Sequence, residues 1–294
     1  MFDSGTPRPM RNLSVSKIEK AILCPLSMKY AYIDKIPQQS VWKLHAGKVV
    51  HSIIEHSLRE FASKGAYTDA ATMDDMFEPT WDRMQQEEEE KDSFIGWQET
   101  PDDPVEKLRK EYRPLVKLAR NEVLSTLSPW MIDGSPVVEW RIDLELRSRV
   151  GMFPILGFAD LLSADGVLMD WKTTDRDVSD RAKRTWLQFA AYSLWAYPLV
   201  GEENLRCEKI FLIRGNGNPR VERVPFTVGE KHREFFVKLA AKVWEMIHHG
   251  IFLPNYESWS CKADFCAYYA GCMGDLKKKE EELCPVPKEQ SPSV

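Results

Sequence analysis

The sequence contains no apolar run approaching the roughly 20 residues that a membrane-crossing helix needs. Its first residues, MFDSGTPRPMRNLS, lack the apolar stretch of a secretion signal. Both absences lead to the expectation of a soluble protein held in a reducing cytoplasm, with no membrane partner. In that setting six cysteines in 294 residues serve more often as thiols or metal ligands than as disulfides. Internal repeats are also missing, and the one biased tract is the glutamate run at 87–90, which excludes solenoid and fibrous architectures. Positive charge is in deficit as well: the formal net charge is −5, an average that speaks against a nucleic-acid partner. The deficit is local. Residues 69–110 hold fourteen carboxylates against five Lys and Arg, a net −9, so the remaining chain carries −5 − (−9) = +4. Residues 1–51 alone set eight Lys and Arg against Asp3, Glu19 and Asp34. A basic surface outside the acidic segment therefore remains open.

What is present is ample material for a core: 43% hydrophobic residues, with 10 Trp, 9 Tyr and 13 Phe. The stretch SVSKIEKAIL predicts a short helix opened by a capping box of Ser16 with Glu19 and ended at Cys24-Pro25. A second helix is expected from about Ser40 to Gly65, with Gly47, His51 and Glu55 stacked on one face at intervals of four. Residues from about 66 to 130 read as a helical insertion whose acidic side is a solvated face. The period then changes. VVEWRIDLEL alternates, FPILGFADLLSA is a second strand-like run, and Asp165-Gly166 is a turn signal leading into VLMDWKTT. Ser179 or Asp180 can cap a helix over RAKRTWLQFAAYSLWAY, followed by strands CEKIFLIR and RVERVPFT and a last helix ended by Gly250. The expected class is α/β, a mixed central sheet flanked by helices.

On the third predicted strand Asp170 and Lys172 flank Trp171, so the acid and the amine share one face and the indole takes the other. An Asp-x-Lys triplet arises about once by chance in such a composition, and alone it could be an ordinary surface ion pair. Asp160 changes the reading. Residues 160 and 170 bracket the Asp165-Gly166 turn symmetrically, which sets the two carboxylates opposite each other. Two carboxylates and a lysine suit phosphodiester hydrolysis: hard oxygen ligands select Mg²⁺ or Mn²⁺, and the lysine can orient water or stabilise developing charge.

With these residues in place the sequence resembles the RecB-like branch of the PD-(D/E)xK nuclease superfamily, which includes the CRISPR-adaptation nucleases and the AddB and RecB nuclease domains. The resemblance covers most of the chain and implies a restriction-endonuclease-like fold. Its early helix with a metal-binding histidine after a glycine is matched by Gly47-x-x-x-His51, and its Gly-x-x-Asp by Gly157-Phe158-Ala159-Asp160. The acid-x-lysine is matched by Asp170-Trp171-Lys172 and the following Gln-x-x-x-Tyr by Gln188 and Tyr192. The resemblance implies that His51, Asp160, Asp170 and the Trp171 backbone carbonyl hold Mg²⁺ or Mn²⁺. It further implies that Lys172 serves the attacking water, that Gln188 and Tyr192 position the strand, and that Glu139 stands near the metal.

Cys261, Cys266 and Cys272 lie within twelve residues, a spacing that favours a metal or iron–sulfur site. A fourth ligand is needed. Members of the resembled family with a 4Fe–4S cluster take it from a Cys-Pro ahead of the glycine-histidine helix, where Cys24-Pro25 stands, and the cluster segment would span about residues 254–284. Cys284 is a rival ligand, Zn²⁺ a rival occupant, and the four-residue gap between Cys261 and Cys266 departs from the family's two. Cys207, on a strand, is expected in the core. The activity so implied is a metal-dependent DNA exonuclease acting on single strands or DNA ends in recombination, repair, replication or CRISPR adaptation, with protein partners from those processes. A non-cleaving DNA-binding module and a structure-specific endonuclease are the alternatives.

Overall fold

The computed structural model describes residues 10–98, 100, 102–175, 178 and 186–275. Helix α1 (Val15–Leu23) begins where Ser14, in an extended conformation, accepts the N–H of Lys17 at 3.3 Å. The expected cap at Ser16 is not used, because a cap residue must sit outside the helical φ/ψ region and Ser16 is already within it. Glu19 is thereby released from capping. A second short helix, α2 (Pro25–Tyr32), follows without a loop: Cys24 is extended, closes α1, and accepts the N–H of Ser27 on its sulfur at 3.5 Å, with Pro25 in the first turn. No residue pattern announces it, since cysteine is not an ordinary cap residue.

The long helix α3 (Trp42–Lys64) ends at Gly65, whose φ of 71° is left-handed. Three helices follow, α4 (Ala70–Asp75), α5 (Phe77–Glu89) and α6 (Val105–Glu122). Their inner residues Phe77, Trp81, Leu108, Tyr112 and Leu115 are fully or almost fully buried and pack with Val49, Ile53 and Leu58 of α3. Their outer side is charged, and much of its acid is paired: Arg109 binds Glu78 at 2.6 Å and Asp82 at 2.7 Å, and Arg113 binds Asp74 at 2.9 Å.

The sheet has five strands in sequence order: β1 (Val138–Ser148), β2 (Gly151–Leu162), β3 (Leu168–Thr174), β4 (Leu205–Ile213) and β5 (Arg220–Val228). Every pairing is antiparallel except β3 with β4. That parallel step requires a crossover, which contains α7 (Leu187–Val200). The proposed caps Ser179 and Asp180 lie outside the described residues. Helix α8 (Glu230–His248) follows β5. One face of the sheet is covered by α1, α7 and α8, the other by α3 and the insertion, which leaves two separate apolar cores. Cys207 lies in the first, 2% exposed. Among the described residues no helix is long and apolar enough to cross a membrane.

Candidate active site

Strands β2 and β3 pair only at Leu161 with Met169 and Leu162 with Leu168. Continuing that register sets Asp160 opposite Asp170, as the symmetric bracketing of the turn requires, but at that point the strands part. The Trp171 N–H donates to the Asp160 carboxylate at 2.8 Å instead of to a backbone carbonyl. The opening turns both acids into the gap, 8% and 2% exposed respectively. Lys172 donates to Asp170 Oδ1 at 2.9 Å, and the second oxygen, Oδ2, is buried without a hydrogen-bond partner.

Two further elements reach the gap. Helix α3 packs closely on β3 because Gly47 has no side chain: a Cβ there would lie 2.8 Å from Thr173 Oγ1. One turn later His51 Nδ1 stands 3.9 Å from Asp160 Oδ2. At the other side β1 is kinked at Glu139, whose φ of 43° is left-handed and unfavourable for a residue with a Cβ. Arg59 of α3 holds the kink by donating to the Val138 carbonyl at 2.7 Å. Ligand atoms of His51, Glu139 and Asp160 all lie within 4.8 Å of one another.

The charges are unbalanced. Burial, then the neighbouring carboxylates of Asp170 and Glu139, hold Asp160 well above the usual aspartate range against the pull of Lys172. Glu139 is raised by burial and by Glu55. Burial and the Lys172 ammonium lower His51 to about 4, so at neutral pH its ring is an uncharged donor of a lone pair and its contact with Asp160 is no ion pair. For Lys172 burial acts downward, but Asp170 and Asp160 outweigh it and raise the ammonium above the usual lysine range. Three acids, one neutral imidazole, one cation and an orphaned carboxylate oxygen form a donor set that fits a divalent cation of the hard class, with oxygen ligands dominant.

Gln188 and Tyr192 sit on the first turns of α7 and line the same cavity as Asp160 and Lys172, about 840 Å³ in volume. Tyr192 reaches it because Gly157 leaves room: a Cβ on residue 157 would meet the ring at 2.4 Å. Its hydroxyl accepts the Phe158 N–H at 3.4 Å. A second cavity, about 600 Å³, opens on the α3 side, and the two share His51, Glu139 and Lys172. Three residues of the larger cavity were not singled out from sequence. Glu19, raised by burial, faces Lys172 and Lys209 electrostatically; Lys209 is 5% exposed and lies over the rings of Phe189 and Phe226; Phe158 is 47% exposed. The freed capping acid could have flagged Glu19, but a lysine within an apolar strand carries no local signal of its neighbours.

The thiols of Cys24, Cys261, Cys266 and Cys272 line one cavity of about 180 Å³ on the far side of α1 and α2. Asn255 donates to the Leu23 carbonyl at 3.0 Å, and the Tyr30 and Tyr268 rings meet edge to face at 5.4 Å, which dock the C-terminal segment there. Burial, then the other thiols, raise Cys261 and Cys272. The rival Cys284 lies outside the described residues.

The chain is similar to the Gene 69 protein of Mycobacterium phage D29, 27% identical over 278 residues that span 90% of this chain and 96% of that one. Its fold is similar to a crystal structure from Eubacterium rectale named "Putative exonuclease", with a TM-score of 0.51, 14% identity and 84% of each chain covered. The family model of the PD-(D/E)XK nuclease superfamily matches residues 12–273. A mixed sheet parted at two acids, an acid-x-lysine on the parted strand and a match over almost the whole described chain make this protein a member of the PD-(D/E)XK nuclease superfamily, with the restriction-endonuclease-like fold.

Proposed function

We propose that the protein is a divalent-metal-dependent deoxyribonuclease working from DNA ends or on unpaired strands. The observation that carries the metal reading is the buried, partnerless Asp170 Oδ2 beside a neutral His51 and the Glu139 and Asp160 carboxylates. His51, Asp160, Asp170 and the Trp171 carbonyl would hold Mg²⁺ or Mn²⁺, with Glu139 at the edge of the site. The cation would neutralise phosphate charge and acidify water.

Lys172 stays protonated beside its two acids, so it acts as a donor and a charge, not as a base: its ammonium orients water toward phosphorus and stabilises the extra negative charge of the transition state. Gln188 and Tyr192 hold the backbone of the strand in the cavity they line. Replacing Lys172 with Ala is expected to lower cleavage of end-labelled DNA by about 10²-fold or more, with the melting temperature preserved. Undiminished cleavage would sink the assignment. A circular single-stranded substrate left intact by the wild type supports end-dependent action, and its cleavage would make the enzyme an endonuclease. A wild type that binds DNA but never cleaves it with Mg²⁺ or Mn²⁺ would favour a binding module.

Cys24, Cys261, Cys266 and Cys272 are proposed to hold a 4Fe–4S cluster that ties the C-terminal segment to α1 and α2 across 237 positions of sequence. Four thiols crowd one cavity, and burial with the neighbouring thiols raises Cys261 and Cys272, which fits an electropositive centre. Iron and visible absorbance after anaerobic purification are expected, and a colourless zinc-loaded protein would replace the cluster with Zn²⁺. The mycobacteriophage relative favours a phage setting.

A further inference from the structure

We propose that Phe158 is the platform on which the nucleobase next to the scissile phosphate stacks, and that this contact selects unpaired strands; the proposal rests on the nuclease reading and deepens it. The position is unusual among the aromatics of the sheet. Phe153, Trp171 and Phe211 are 0%, 2% and 5% exposed, whereas Phe158 is 47% exposed in the middle of β2. Phe158 stands on the solvent-facing side of β2, at the wall of the cavity that holds Asp160 and Lys172.

Its place identifies the occupant. Phe158 is two residues before Asp160 on β2, so about 7 Å of strand rise separates them. Both line the 840 Å³ cavity, as do Lys17, Lys172 and Lys209. An aromatic face one residue pair away from the carboxylates, with amines around it, has the chemistry of one nucleotide: base on the ring, phosphates on the lysines. The backbone under the ring is fixed. The Phe158 N–H donates to Tyr192 Oη, and the missing side chain of Gly157 admits the Tyr192 ring beside it. Tyr192 thus positions Phe158 in addition to lining the cavity. In a duplex both faces of an interior base are covered by its neighbours, so only an unpaired or frayed nucleotide can present a face to Phe158.

The test uses the full-length, metal- and cluster-replete protein. Phe158→Ala is expected to raise KM for single-stranded DNA about 5- to 150-fold, the range of one base–aromatic stack, with a smaller change in kcat; Phe158→Trp should restore it. Single abasic residues walked along the labelled strand should slow the wild type at the flanking nucleotide and add nothing in Phe158→Ala. An unchanged KM, or an abasic penalty equal in both proteins, would overturn the proposal. A binding arm without added metal separates it from the nuclease reading. Fluorescence of an oligonucleotide carrying 2-aminopurine should be quenched by wild type but not by Phe158→Ala. Quenching without any cleavage would leave the stacking site standing while the nuclease reading fell, and quenching retained in Phe158→Ala would remove the stacking site alone.

Discussion

Gly157→Ala places the close approach of β2 and α7 under direct test. Residue 157 is not in the left-handed region, so its backbone accepts alanine, and the loss of unfolded-state freedom would by itself stabilise the protein by about 0.4–1 kcal/mol. Against this, the new Cβ would stand 2.4 Å from Tyr192 Cε1 and 3.0 Å from both Cζ and Oη. Tyr192 is 9% exposed and packed in the core under β2, so the ring cannot swing away freely. Overpacking of this kind costs about 1–3 kcal/mol. The clash outweighs the entropy gain, for a net loss of about 1–2 kcal/mol, or a fall in Tm of roughly 2–3 °C for a chain of this size. Urea unfolding of Gly157→Ala, Tyr192→Ala and the double variant supplies the decisive cycle. Tyr192→Ala alone should cost about 3–5 kcal/mol, as a buried aromatic does, but in its presence Gly157→Ala should become neutral or slightly stabilising. If Gly157→Ala costs the same with and without the ring, the contact does not explain the glycine and the reasoning fails.

Two other outcomes are expected. Arg214 and Lys43 hold the insertion to the sheet through Asp103, at 2.7 Å each, and although burial opposes it their hydrogen bonds lower Asp103 to about 2. A depressed acid stabilises above its unfolded pKa near 4 and loses that contribution as pH falls toward 2. The gap in unfolding free energy between wild type and Asp103→Asn should therefore be on the order of 2 kcal/mol above about pH 4 and close below it; a gap independent of pH would refute the pairing. Mn²⁺ at about 100 times its dissociation constant should stabilise the wild type by about 2.7 kcal/mol and raise Tm measurably, and Asp160→Asn should abolish the rise; a rise that persists would place the metal elsewhere.

Much of the fold was legible because periodicity is local. Alternation in VVEWRIDLEL and the Asp165-Gly166 turn led to β1, β2 and β3 in the observed register, and Gly65 to the end of α3. Where the reading slipped, the reason is also local: Ser14 outcompeted Ser16 as a cap by being extended, and Cys24 served as a cap that residue type does not announce. Within the candidate site, His51, Asp160, Asp170 and Lys172 could be picked out because each sits at a defined step in a motif. Glu19, Lys209 and Phe158 could not, since their meaning lies in neighbours brought by other elements.

Local pattern was enough for most elements, the register of the hairpin and the residue types able to bind a cation, because side-chain direction follows from a period of two or 3.6. Packing alone parts the strands at Asp160, turns Glu139 inward from a left-handed kink, and brings four cysteines separated by up to 248 residue numbers to one cavity. It also decided protonation. Lys172 is held charged and His51 neutral by burial and by the distances between groups, neither of which exists before the chain is packed.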